Sequence, residues 1–518
     1  MFEKKHGIRR PLALAVASLL GSGAGVVQAA EMNDGDVMVV QATAEQALKQ
    51  QPGVSIITAD DIEKDPPVND LSDIIRKMPG VNLTGNSASG SRGNNRQIDI
   101  RGMGPENTLI LVDGVPVTSR NSVRYSWRGE RDTRGDTNWV PAEMVERIEV
   151  LRGPAAARYG SGAAGGVVNI ITKRSSNEWH GSWNSYFDVP EHKAEGATKR
   201  TNFSLTGPLG DSVSFRLYGN LAKTQADAQD INAGHESPRT GSYADTLPAG
   251  REGVVNKDIN GQVRWEFAPM QALEFEAGYS RQGNLYAGDT QNTNNDNKTN
   301  GLVKKYYGKE TNRLYRQNYA VTWTGGWDNG VTTNTYAQYE HTRNSRLGEG
   351  LTGGLEGLFN SEKFSDINLS DVLLHSEVSI PFDWLVNQNL TLGTEWNQQR
   401  MKDGTSTAQA LTGSTSGGAI PGVDSTNRSP YAKAEIFSLF AEDNMQLTDS
   451  TTLTPSLRFD HHTIVGNNWS PALNLTQALT DAVTLKMGIA RAYKAPSLYQ
   501  TNEDYILYSR GQGCYASA

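Results

Sequence analysis

From Trp179 onward the chain alternates between apolar and polar residues. Ile259, Gly261, Val263, Trp265 and Phe267 take turns with Asn260, Gln262, Arg264 and Glu266. After Ala268-Pro269-Met270 the pattern resumes, with Leu273, Phe275, Ala277 and Tyr279 set against Glu274, Glu276, Gly278 and Ser280. A period of two places the two sets on opposite faces of a strand, so this stretch reads as a hairpin with one apolar face. Similar segments recur near 199–222, 314–342, 370–400, 431–462 and 469–492. Most pairs are joined by tight turns such as Gly207-Pro208-Leu209-Gly210 and Gly325-Gly326-Trp327-Asp328-Asn329. The alternate connections, near 222–254, 284–313, 343–369 and 401–430, are long and polar. Short turns on one rim and long loops on the other are the pattern of a transmembrane antiparallel β-barrel; a soluble β-sandwich alternates too but does not impose that parity. In such a barrel the apolar set faces lipid and the polar set the lumen. About thirteen strands are counted from Trp179, each of roughly ten residues.

Composition leaves a soluble protein or a β-barrel open and does not separate the two. Mean hydropathy is −0.54, and after the first 30 residues no stretch approaches the ~20 apolar residues of a spanning helix. Acidic residues (57) outnumber basic ones (49), for a net charge of −8, which argues against nucleic acid as a partner. A chain of 518 residues has room for more than one domain.

The N-terminus has the form of a secretory signal over residues 1–30. Lys4, Lys5, Arg9 and Arg10 precede a weakly apolar core, and Val27-Gln28-Ala29-Ala30 offers small residues for cleavage. A membrane anchor is the competing reading, but the run is short and holds glycine and serine. Residues 31–51 are polar except for Asp36, Val37, Met38, Val39 and Val40. An isolated β-prone island of this kind suits addition to a partner's sheet; an ordinary edge strand is the alternative.

Residues 52–175 read as a small α/β domain. Val54 to Thr58 is a predicted strand, Thr58 a helix N-cap, and Leu71, Ile74, Ile75 and Met78 recur at helical spacing until Pro79-Gly80. Thr108 to Val112 is a second strand, turning at Asp113-Gly114 into Val115-Pro116-Val117. The domain closes on LRGPAAARYGSGAAGGVVNIITK (151–173), whose glycines and alanines predict a tightly packed connector. Gly160, Gly162 and Gly165 have the spacing of a dinucleotide-binding loop, but here a strand follows the glycines where a helix is needed.

Two groups of arginines stand out. The loop 118–138 holds Arg120, Arg124, Arg128, Arg131 and Arg134 with Tyr125 and Trp127. Guanidinium forks grip oxyanions and aromatic faces stack on planar rings, so the loop suits a planar polyanion. Glu130, Asp132 and Asp136 cancel part of the charge, and a solvated loop is the other reading. Arg101 and Arg152 lie within apolar runs, IDIRG and EVLRG, where a buried guanidinium needs a carboxylate; Asp99 and Glu149 of the same domain are one source.

Three blocks in order, DLSDIIRKMPGVNL (70–83), RQIDIRGMGPENTLILVDGVPV (96–117) and the 151–173 stretch, resemble the plug domain of TonB-dependent outer-membrane receptors. SVRYSWRGERDTRGDTNWVPAEM (122–144) is most similar to members that take ferric catecholates of the enterobactin type. The resemblance implies a 22-stranded barrel in the complete family, with the plug inside it and residues 176–518 as part of the wall. It implies a Gram-negative outer-membrane location among lipid and lipopolysaccharide, and energised import of a ferric siderophore. The 36–40 island becomes the TonB box, which engages TonB and, through it, inner-membrane energising proteins. Arg120, Arg124, Tyr125, Trp127, Arg128 and Arg131 become ligand contacts at the plug apex, with Tyr286 added from an external loop. Arg101 and Arg152 would meet glutamates on the barrel wall. Iron arrives within its chelator, so neither a cofactor nor protein ligands to the metal are expected. Import of another cargo, such as haem or cobalamin, and a passive porin or adhesin are the alternatives.

Nothing in the sequence points to catalysis. His461 and His462 are adjacent on a predicted strand and so face opposite ways, and no nucleophile motif is present. Cys514 is the single cysteine. In an oxidising compartment it suggests a partner elsewhere, and the family's corresponding loop carries a cysteine pair. With the strand count short of closure and the loop-like end SRGQGCYASA, this predicts a chain that continues beyond Ala518.

Overall fold

The computed structural model describes residues 53–84, 95–125, 131–153, 155–235, 249–288, 297–350, 359–407, 428–480 and 482–505. The predicted signal, the 36–40 island, Trp127, Arg128 and Cys514 lie outside them.

The first domain is built where the sequence changes period. β1 (Val54–Thr58) ends at Thr58, whose hydroxyl accepts from the Asp61 N–H at 3.2 Å while the Asp61 carboxylate takes the Thr58 N–H at 2.9 Å. This reciprocal cap starts α1 (Ala59–Lys64). Leu71, Ile74 and Ile75 are all buried, but α2 (Ser72–Ile75) is a single turn. Pro79 disfavours helix at Met78, and the chain passes directly into β2 (Val81–Leu83), which pairs with β3 (Ile98–Ile100). β4 (Thr108–Val112) turns through Asp113 at φ 51° and Gly114 at φ 81° into β5 (Val115–Pro116). Two successive left-handed residues are what a two-residue hairpin requires. β6 (Val145–Arg152), α3 (Ala156–Tyr159) and β7 (Gly166–Thr172) follow. The five strands lie in the order β1-β6-β7-β4-β5, with only β4 and β7 parallel. Ile57, Ile75, Ile100, Ile148, Val150, Val168 and Ile170 fill one core, each aliphatic side chain contributing ~1.5–3 kcal/mol by burial. The connector is as tight as its composition predicts: a Cβ on Gly166 would stand 2.2 Å from the Leu151 carbonyl oxygen.

The alternating region forms one antiparallel sheet of thirteen strands in sequence order. They are β8 (His180–Asp188), β9 (Thr198–Gly210), β10 (Val213–Thr224), β11 (Gly253–Ala268), β12 (Gln271–Leu285), β13 (Glu310–Gly326), β14 (Thr332–Glu349), β15 (Phe359–Trp384), β16 (Val386–Asp403), β17 (Tyr431–Thr448), β18 (Thr451–His462), β19 (Gly466–Thr480) and β20 (Val483–Ala490). Among the described residues β8 and β20 are the two ends of the sheet. The alternation has the predicted sense. Ile259, Val263, Trp265 and Phe267 are exposed on the outside, while Asn260 and Arg264 are buried within.

Except for β8 and β20 the strands are longer than the ~10 residues a bilayer needs, reaching 26 in β15. Most of 343–369, expected as loop, is therefore strand that stands above the apolar belt, where both faces are polar and the period fades. The 284–313 connection includes a helix, α4 (Asn297–Tyr306). Gly207 to Gly210 belongs to β9, and the turn falls on Asp211 and Ser212. The parity of connections has one exception: only residues 463–465 join β18 to β19.

Candidate functional site: the plug apex and its seat in the barrel

The 118–138 loop packs as a folded cap rather than a spread of free cations. Arg131 is fully buried; its Nε donates to Glu106 Oε1 at 2.8 Å, Nη1 to the Val123 carbonyl at 2.7 Å and Nη2 to Tyr125 Oη at 2.8 Å. The Tyr125 hydroxyl donates to Glu106 Oε2 at 2.9 Å, and the Arg131 guanidinium lies 4.2 Å from the Tyr125 ring centre. Arg120 donates to the Pro105 and Thr108 carbonyls, both at 2.8 Å. Arg124 reaches out of the plug to Glu349 on β14 at 3.1 Å. Arg134 is buried against Asp70 at 2.6 Å, and Asp136 takes the Trp139 indole at 3.0 Å and the Ser119 hydroxyl. The structure thus gathers Arg120, Tyr125 and Arg131 around Glu106 and commits most of their donors to the protein itself.

Glu106 is the hub. Burial pushes its carboxyl up, but Arg131, Arg120 and Lys494 together hold it well below the usual carboxylate range. Lys494, at 3.1 Å, comes from the segment after β20, which also lays Tyr499 edge-on to Tyr125 with ring centres 6.5 Å apart. Within that segment α5 (Leu498–Thr501) carries Tyr499, whose hydroxyl donates to Asp403 at 3.0 Å. Tyr286, the external-loop candidate, lies apart from this group, buried with Leu302, Val303, Leu347 and Phe359.

Arg101 and Arg152 lie side by side near Gly53 and Gly153, and Arg152 Nη2 donates to Ser55 Oγ at 2.8 Å. Among the described residues neither meets a carboxylate. Burial was the reason to expect one, and Arg101 is exposed and Arg152 only half-buried.

The seat of the plug is polar, and its densest part was missed in the sequence. Arg158 on α3 sets Nη2 against both carboxylate oxygens of Glu377 on β15, at 3.0 and 2.9 Å. His375 stands between two carboxylates, 3.2 Å from Glu377 and 3.3 Å from Glu395, and stacks on Tyr336 with ring centres 4.7 Å apart. Glu395 also takes Arg458 at 2.9 Å. Gly160, at φ 75°, lets the plug close on that arginine; a Cβ there would lie 2.7 Å from a guanidinium nitrogen. The one available signal was period two, which puts His375 and Glu377 on the same lumen-facing side of a strand. Elsewhere Thr118 bonds Glu340 through both N–H and hydroxyl, Arg200 on β9 holds Glu143, and Asn344 on β14 reaches the Ser122 carbonyl. Between the β4–β5 turn and the wall remains a cavity of about 380 Å³, lined by Asp113, Glu149, Arg158, Arg216, Glu276 and Glu377 among others.

A mixed α/β plug seated by ion pairs against the polar face of a lipid-facing strand wall is the architecture of a plugged outer-membrane protein. Residues 47–167 match the TonB-dependent receptor plug domain, and residues 265–517 match the TonB-dependent receptor-like β-barrel. The chain belongs to the TonB-dependent receptor family, whose barrels lie in the outer membrane of Gram-negative bacteria. It is 75% identical over 501 residues to the ferrienterobactin receptor of Escherichia coli K12, covering 95% of this chain and 66% of that one. It is 63% identical to the ferric enterobactin receptor of Pseudomonas aeruginosa, covering 96% and 66%. A crystal structure of a mutant of that receptor with enterobactin superposes with a TM-score of 0.85 at 64% identity, covering 90% of this chain and 66% of that one. The chain thus spans just under two thirds of the length of these relatives.

Proposed function

We propose that the chain serves as a TonB-energised importer of a ferric catecholate siderophore of the enterobactin type, a transporter rather than an enzyme. The observation that carries this is the apex: Arg120, Tyr125 and Arg131 meet around Glu106, and Arg124 of the same loop reaches Glu349 on β14, on the outward side of a plug seated by separable polar contacts. The relatives at 63–75% identity are named for ferric enterobactin, which supports the same cargo. The ligand, a polyanionic iron chelate with planar rings, settles on the apex by charge and stacking, with Trp127 and Arg128 completing the contact and Tyr286 bracing the outer loop. The TonB box, Asp36 to Val40, adds as a strand to TonB, which draws on inner-membrane energising proteins. The force loosens the plug, whose seat resists through Arg158 and its neighbours. A carboxylate brought to Arg101 and Arg152 would relieve their mutual repulsion and add a further hold. Lipid and lipopolysaccharide surround the wall, no cofactor takes part, and iron stays within its chelator.

The test is uptake of radiolabelled ferric enterobactin by cells that lack their own catecholate receptors and express this protein. Accumulation that disappears when TonB is deleted supports the reading. Uptake of haem or cobalamin in its place would reassign the cargo, and uptake indifferent to TonB would favour a passive pore.

A further inference from the structure

The wall carries a buried carboxylate that the resting seat leaves unused. Glu442 on β17 is 4% exposed, and its Oε2 has no hydrogen-bond partner among the described residues. An unpartnered carboxylate is costly to bury. The charges that act on it are those of Arg158, on the plug, and Glu377. Arg158 is incomplete in the same way. Its Nη2 holds both oxygens of Glu377, while its Nη1 is buried without a partner among the described residues. One arm of the guanidinium therefore remains to bond a second acceptor.

A path joins the two. Glu377 on β15 pairs with Gly393 on β16, and Gly393 pairs with Phe440 on β17. Gly393 leaves room for the Phe440 ring to lie across it, since a Cβ there would stand 2.0 Å from a ring carbon. The Arg158 guanidinium lies 5.2 Å from the centre of that ring, and an aromatic face attracts a cation that stands over it. Glu442 follows Phe440 by two residues, so it leaves β17 on the same face, one pleat (~6.6 Å) farther along. The direction is toward Thr448 and the short turn that joins β17 to β18. Arg158, Glu377 and Glu442 all border the cavity of about 380 Å³ between plug and wall.

We propose that Glu442 is the second station of Arg158. As force draws the plug toward the rim of short turns, the guanidinium passes over Phe440 from Glu377 to Glu442 and keeps a carboxylate throughout. This rests on the proposed importer function and adds the residue that receives the plug's anchoring charge as the seat opens. Glu442 is thus a positioning residue, acting through Arg158. Exchange between two discrete partners lets the plug shift without leaving a buried guanidinium unmatched.

The experiment is a double-mutant cycle read on the rate of radiolabelled ferric enterobactin uptake, in cells that lack their own catecholate receptors. Glu442→Gln should bind ferric enterobactin as wild type does but import it about tenfold more slowly, the loss of one charge-assisted hydrogen bond during opening. Glu442→Asp, which keeps the charge, should recover most of the rate. With Arg158→Ala already in place, Glu442→Gln should change the rate no further. An assembled Glu442→Gln that imports as fast as wild type overturns the proposal. Equal slowing with and without Arg158 overturns it too, by making Glu442 a structural residue of the wall. If Glu442→Gln does not assemble, Thr391→Lys, which sets an ammonium directly across the ladder from Glu442, is read in the same way. Wild type that imports nothing, or imports without TonB, fails the proposed function and this inference with it, whereas a fast Glu442→Gln fails the inference alone.

Discussion

At the scale of single residues, the seat of the plug turns on Arg158 and Asp113. Removing one partner of a buried ion pair leaves the other charge unmatched, at a cost of ~3–5 kcal/mol. Arg158→Ala should therefore release the plug at markedly lower urea while the barrel stays folded, and Arg158→Ala/Glu377→Ala should recover much of the loss. Equal midpoints for wild type and the single variant would remove this pair from the account. Asp113 looks onto the internal cavity yet is enclosed by the wall, and that enclosure, with help from Glu276 and against Arg216, pushes its carboxyl up to about 6 from an ordinary 3.8. Between those two values the folded protein binds the extra proton, so the contribution of this group to stability falls as pH rises through that window. Asp113→Asn, which suits the left-handed turn, should flatten the slope of plug stability between pH 4 and 6. A slope unchanged by the substitution would assign it to other groups.

At the scale of elements, the strands were legible wherever one face met lipid. The hairpin of β11 and β12 was readable residue by residue, because burial in hydrocarbon on one side and water on the other enforces a period of two. Above the belt both faces are polar, so the outer halves of β14 and β15 left no such trace. The plug strands, the Thr58 cap and the Asp113-Gly114 turn were likewise visible, since each rests on local chemistry. The seat was not. His375, Glu377, Glu395 and Arg458 come from three strands, and their meeting with Arg158 depends on register between segments far apart in sequence. Arginines were conspicuous in the 118–138 loop, but their number did not reveal that Glu106 and backbone carbonyls occupy them. The 36–40 island carries the prediction that belongs to this scale. Val39→Pro removes a main-chain donor and should stop uptake while leaving ferric chelate binding unchanged. Loss of both together would make the island a structural strand of the plug.

At the scale of the whole molecule, the proposed function asks one protein to hold its plug and still release it under force, and a plug seated by ion pairs in a polar-lined wall suits that demand. A hydrophobic interface would resist separation through water far more strongly than ion pairs that can rehydrate. On the proposed function the ligand would report through the same body: the apex loop touches β14 through Arg124, and its Glu106 touches the segment after β20 through Lys494. The most direct test of the account is a binding titration of the purified receptor with ferric enterobactin, ferric citrate and a ferric hydroxamate, repeated on Arg120→Glu/Arg124→Glu. The account predicts clear preference for the catecholate and well over tenfold weaker binding in the variant, from ~1.5–3 kcal/mol per charged hydrogen bond. Equal affinity for all three chelates, or an arginine variant that binds ferric enterobactin as tightly as wild type, would contradict it.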